Sequence, residues 1–181
     1  MKLYPRDVLV LLLYADGASG QPCEPVVGRT RLQKLLFLIG RESVVPRFTQ
    51  GFYRFQPYRY GPFSRGVYDD LEFLQAAGVV KEEEMPSEEA AELEDAEDAA
   101  AADEISLVGE RDGATVPRPS RYCLTDRGKR IAGELWAQAP SAVREAIGGM
   151  KAEFNQAPLW AVIAYVYDRY PDMAAESELP R

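Results

Sequence analysis

The sequence predicts a mainly α protein with a small β-hairpin, an α+β chain of 181 residues. Three observations predict it. Arg121-Tyr122-Cys123-Leu124-Thr125 reads as a strand that runs straight into a helix at Asp126. Three helical segments precede its partner strand, which begins at Val79-Val80-Lys81. Between the two strands lies an acidic stretch, 84–119, whose composition cannot bury enough apolar surface to order itself. Helix, helix, helix, strand, long connection, strand, helix is the order of a winged helix-turn-helix. Here it carries an extended acidic wing tip and a C-terminal helical extension. Residues 1–139 are expected to form the winged-helix domain and residues 140–181 the extension packed on it.

The first helix is expected from Arg6 to Tyr14, with Pro5 at its entry, where a missing N–H costs nothing. Asp16 to Gly28 is rich in glycine and proline and reads as a loop. Thr30 and Gln33 have the spacing of a capping box at the start of a second helix. In that helix Leu32, Leu35, Leu36 and Ile39 form a core-facing stripe, and Arg31, Lys34 and Arg41 are expected on the solvent side. Residues 47–62 are aromatic and irregular, with Phe52-Tyr53-Arg54-Phe55 as a short strand and Gly61-Pro62 as a turn. Ser64 is placed as the cap of a third helix that ends at Gly78, with Val67, Leu71 and Leu74 inward and Tyr68 alongside.

Ile105-Ser106-Leu107-Val108 is the one apolar run in the acidic tip and is expected to add a short strand to the wing. A fourth helix follows from Asp126 to Gln138, capped by Thr125, with Ile131 and Leu135 inward. A fifth is expected over Ser141 to Phe154, and a last one from Pro158 through Tyr170, stopped by Pro171. Leu159, Val162, Ile163, Val166 and Tyr170 line one side of that last helix, while Trp160, Tyr165 and Tyr167 make it apolar nearly all round. A helix of that kind belongs in a core or at a subunit interface, so a homodimer through it is expected.

Charge is distributed unevenly. The chain's net −8 hides a −11 segment at residues 81–104, so the remainder is +3. Residues 28–66 carry eight bases against Glu42 alone, and residues 118–130 add five against Asp126. There is no histidine, which removes the commonest general base and metal ligand. Cys23 and Cys123 are too few for a zinc site and are expected to be reduced and structural. No phosphate-cradling glycine motif or metal-ligand spacing is present, and the carboxylates are concentrated where their geometry cannot be held. No enzyme, metal or cofactor is expected. No apolar run reaches about 18 residues, so no membrane span is predicted. Val8 to Leu13 has no small-residue cleavage site after it, so no signal peptide is expected and the protein is read as cytoplasmic.

With those segments assigned, two motifs resemble known families. Arg29-Thr30-Arg31-Leu32-Gln33-Lys34-Leu35-Leu36-Phe37-Leu38 resembles a helix of YwgA-like proteins and, more distantly, of the Panacea (SocA-like) antitoxin domain. Tyr60-Gly61-Pro62-Phe63-Ser64-Arg65 with Tyr68-Asp69-Asp70-Leu71 looks like the turn and helix that follow in the same families. Tyr165 to Asp172 with Ser177 is similar to the closing helix of the YwgA-like group. The acidic tip departs from that pattern. The resemblance implies a fold, and for Panacea domains the binding of a toxin and for SocA a proteolytic adaptor. It supplies no catalytic residue.

The residues lead first to a non-catalytic DNA-binding protein, a transcriptional regulator, with a protein-interaction module as the alternative. As a DNA-binding regulator, the chain would contact the backbone of double-stranded DNA through Arg31, Lys34, Arg54, Arg59, Arg65, Arg121 and Arg127. Against that stand Asp69, Asp70 and Glu72 on the helix that would enter the major groove, since acids there face phosphate-lined walls. As a protein-interaction module of antitoxin or adaptor type, it would instead use the third helix with Asp69, Asp70 and Glu72, the acidic tip, and Trp160 and Tyr167 on the last helix, to hold a toxin-like partner or adaptor client. The aromatics Tyr53, Phe55, Tyr58 and Tyr60 read either as a stacking platform or as filling between the second and third helices.

Overall fold

A computed structural model describes residues 2–85 and 120–177. The expected strand at 105–108 and the rest of the acidic tip lie outside the described residues. Helix α1 (Pro5–Tyr14) buries every residue from Val8 to Leu13, because it is enclosed by later elements on all sides. Its first turn is closed by Asp7, whose carboxylate accepts from the Tyr4 N–H at 2.7 Å.

The loop after α1 ends in a two-residue strand, β1 (Val26–Val27), within the span expected to be loop. Two residues carry no detectable period, and their pairing partner lies far away in the chain. Helix α2 (Arg29–Glu42) starts from Gly28, whose φ of 81° few other residues adopt. The expected capping box is absent. Gln33 instead donates to the Ser64 carbonyl and accepts from the Ser64 N–H, both at 3.1 Å, and so clamps α2 to the start of the next helix. Thr30 through Ile39 are all buried, so α2 has no solvent-side stripe over that span.

A 3-10 turn (Val45–Phe48) leads into the aromatic segment. No strand forms at 52–55; the only pairing there is a bridge between Gln56 and Phe63. Phe37 meets Phe55 edge-on at 5.3 Å, and Phe63 meets Tyr68 at 5.4 Å, so the aromatics fill the space between α2 and α3 (Arg65–Ala76). Val67, Tyr68, Leu71 and Leu74 are the buried side of α3, as their spacing predicts. Ser64 stands at the cap position without a side-chain capping bond.

Strands β2 (Val80–Glu84) and β3 (Ser120–Leu124) pair antiparallel from Val80↔Leu124 to Glu84↔Ser120. Val26↔Tyr122 and Val27↔Arg121 add β1 on the other side, giving a three-stranded sheet in the order β1-β3-β2. Helix α4 (Asp126–Gln138) begins at Thr125, whose hydroxyl accepts from the Gly128 N–H at 3.0 Å and donates to the Gly78 carbonyl at 2.7 Å. Ile131, expected inward, is exposed, and Ala132 is buried in its place because small side chains let α4 lie close to the core.

Helices α5 (Ser141–Phe154) and α6 (Leu159–Arg169) pack on α2, and α5 also touches α1. Glu42 pins α6 to the end of α2: it accepts from Tyr165 at 3.0 Å and Tyr170 at 2.9 Å and pairs with Arg169 at 3.1 Å. One hydrophobic cluster runs from Leu3 to Met173 and draws on all six α-helices of the described residues. The architecture is mainly α with a small antiparallel sheet.

Candidate interaction face

Helix α3 has a continuous exposed side. Arg65, Asp69, Glu72, Phe73 and Ala76 are all exposed and recur at i, i+4, i+7, i+8 and i+11. Arg65 pairs with Asp69 at 3.1 Å. Asp70, on the flank, is half-buried: it takes the Tyr53 hydroxyl at 2.9 Å and Arg6 at 3.2 Å. Arg6 also lies 4.2 Å over the Phe73 ring, which joins the start of α1 to the middle of α3. Even so covered, Phe73 remains 52% exposed, and Tyr4, two residues before Arg6, is 55% exposed. Glu72 has no ion-pair or hydrogen-bond partner among the described residues. The face is therefore aromatic and acidic.

Behind it, a polar network locks α3 to the sheet. Tyr122 donates to Glu82 at 2.9 Å and accepts from Arg29 at 2.6 Å, while Gln75 donates to Glu82 at 3.1 Å. Burial alone would raise the Glu82 carboxyl, but the Arg29 charge and the bonds from Tyr122, Gln75 and Ser120 outweigh it and hold the group below its ordinary value. Gln75, on α3, is committed to the sheet by this bond.

The proposed phosphate contacts divide in two. Arg31 and Lys34 do not face solvent; they are 5% and 1% exposed. Arg31 donates to the carbonyls of Phe154 at 2.9 Å and Ala157 at 2.6 Å, satisfying the C-terminal end of α5. Lys34 donates to the Pro62 carbonyl at 3.2 Å. The correction has a plain cause: α5 and α6 cover the side of α2 that a three-helix domain would leave open. Arg54, Arg65 and Arg127 are exposed, and Arg59 is half-buried. Arg121 is half-buried and pairs with Glu83 at 3.1 Å on the sheet. Of the aromatic candidates on α6, Trp160 is 50% exposed, whereas Tyr167 is half-buried and donates to Ser177 at 2.7 Å.

A third buried cation escaped the sequence reading. Lys151 on α5, fully buried, donates to the carbonyls of Ala15 at 2.7 Å, Glu24 at 2.5 Å and Leu13 at 3.4 Å. Burial pushes its ammonium down to about 8 despite the favourable charge of Glu24. For Glu24, burial is outweighed by bonds from Ser19, Gln156 and Asn155, which pull its carboxyl down to about 2. No pattern in the chain announces this pair, because the contacts span 127 residues and more of sequence.

Among the described residues no group of three or more histidine, cysteine, aspartate or glutamate side chains could hold a metal ion. No helix of the described residues is long and apolar enough to cross a membrane. Comparison of the sequence with protein-family models and with curated proteins finds no match.

Proposed function

We propose that this chain is a non-catalytic winged-helix protein-interaction module, of antitoxin or adaptor type, that presents the outer face of α3 to a protein partner. The observation that carries the reading is the chemistry of that face. Phe73 is half exposed and Glu72 is uncompensated. Exposed aromatics in a polar surround suit protein recognition, whereas acids on a groove-entering helix oppose phosphate. The burial of Arg31 and Lys34 takes two cations from the competing DNA reading.

The winged-helix assignment rests on element order: helix, short strand, two helices, then a hairpin whose second strand pairs with the first strand. The resemblance of the α2 and Tyr-Gly-Pro motifs to YwgA-like and Panacea domains favours the same class. A cytoplasmic location and a homodimer through α6, with Trp160 as its exposed aromatic, belong to this proposal. Sedimentation that returns a monomer at micromolar concentration removes the dimer.

The test has two arms. The tagged 181-residue chain is used to capture partners from its source lysate, beside Phe73→Ala and Asp69→Lys variants. Its binding to double-stranded DNA from its own promoter is followed by anisotropy across a salt series. A partner retained by the wild type and lost by both variants, with no duplex binding at low salt, is the expected result. Salt-steep duplex binding abolished by Arg54→Glu with Arg65→Glu would assign the chain to DNA instead.

A further inference from the structure

We infer that the partner surface taken by α3 is a basic amphipathic helix, one that sets an apolar side chain on Phe73 and a lysine or arginine against Glu72. This rests on the module reading above and adds the partner's chemistry to it. The argument comes from how charge is satisfied along the face. Arg65 is held by Asp69, and Arg6 is held by Asp70 while lying over Phe73, so both cations at this face already have partners. Glu72 has none among the described residues and adjoins Phe73 in sequence. Among the described residues the face therefore offers one unpaired carboxylate next to one exposed aromatic, which a cation beside an apolar side chain would complement.

A helix supplies that pair most simply, with the two side chains three or four positions apart on one side. The receiving surface suits a helix too, because the exposed residues of α3 run along three turns as a single stripe. The helix that carries them is held in place: Asp70 is fixed by Tyr53 and Arg6, and Gln75 by Glu82, so α3 itself has no need to rearrange on binding. An acidic or purely polar partner would leave Glu72 facing like charge or unpaired.

The experiment uses the full chain and two fluorescein-labelled helical peptides with the same leucine face, one with lysine and one with glutamate on the polar side. The lysine peptide is expected to bind at least about tenfold more tightly than the glutamate peptide. Phe73→Ala and Glu72→Lys should each weaken the lysine peptide about tenfold, the scale of losing a central contact. Because the acidic tip attracts any polycation, Glu134→Lys on the exposed side of α4 is the control and should change binding by less than about twofold. Equal binding of the two peptides overturns the inference, as does weakening by Glu134→Lys equal to that by Glu72→Lys. So does a Phe73→Ala variant that binds like wild type. Both test residues are exposed, and an unchanged thermal melt confirms the fold of each variant. If a lysate partner is captured through Phe73 while the lysine peptide shows no preference, the module reading stands and the basic-helix inference alone fails.

Discussion

Lys151 and Glu24 show what a buried charge does when its partners are mostly backbone. The ammonium serves the carbonyls of Leu13, Ala15 and Glu24, and the Glu24 carboxylate collects Ser19, Asn155 and Gln156. Both titrations make stability rise with pH, each in its own window. Glu24, depressed to about 2 from its ordinary 4.5, contributes stability that is present above pH 4.5 and lost as pH falls toward 2. Glu24→Gln should therefore flatten the acid limb of a melting-temperature profile; an unchanged acid limb would remove Glu24 from that role. Lys151 is depressed to about 8 from 10.5, so between those values the unfolded chain binds more protons and stability rises with pH. Wild type should gain on Lys151→Met across that window by on the order of 2–3 kcal/mol, read by urea denaturation at each pH. Arg31 supports a third prediction. Removing it strands two carbonyls, so Arg31→Met should cost about 3 kcal/mol, whereas a solvent-facing arginine would change stability by less than about 0.5 kcal/mol. None of these three roles was legible locally. The sequence shows a cation's spacing along its own helix, and Arg31 and Lys34 do occupy a separate stripe of α2. Whether that stripe meets water depends on α5 and α6, which arrive more than a hundred residues later.

At the level of elements, the junction between β3 and α4 was the most legible. Leu124-Thr125 followed by Gly128 predicts a strand entering a capped helix, and α4 spans Asp126–Gln138 as expected. Packing supplies the reason for the glycine. A Cβ at Gly128 would stand 2.0 Å from the Val79 carbonyl oxygen, a backbone atom that cannot swing aside. Gly128→Ala should therefore separate α4 from the β2 entry and destabilise by several kcal/mol, at the upper end of what overpacking costs. A melting temperature within a few degrees of wild type would show that the helix can shift without loss. The inward stripe of α3 was legible for a different reason: Val67, Leu71 and Leu74 repeat at helical spacing on one side only. Ile131 misled because two apolar residues, Ile131 and Leu135, are too few to fix which side of α4 turns inward. Strand β1 was missed because two valines beside a glycine do not distinguish a strand from a loop until Tyr122 is placed opposite.

For the molecule as a whole, the closing of the sheet bears on what the acidic insertion can do to the fold. The β2–β3 ladder is complete up to Glu84↔Ser120, so the chain leaves and re-enters at neighbouring positions. Replacing residues 86–119 with a short Gly-containing turn should leave the thermal melt within a few degrees of wild type. A collapse of stability on that replacement would make the insertion part of the core. The composition and periodicity of the chain were enough to establish a mainly helical protein with one hairpin and to place the ends of α4 and α5. They also showed where the acids are concentrated. These properties depend on neighbours within a few turns, where period and capping chemistry act. Which cations are internal, which aromatic is left on the surface, and that α3 presents an aromatic and acidic face were decided only by tertiary structure. Burial is a property of what packs against a side chain, and for α2 those neighbours, α5 and α6, come from the opposite end of the chain.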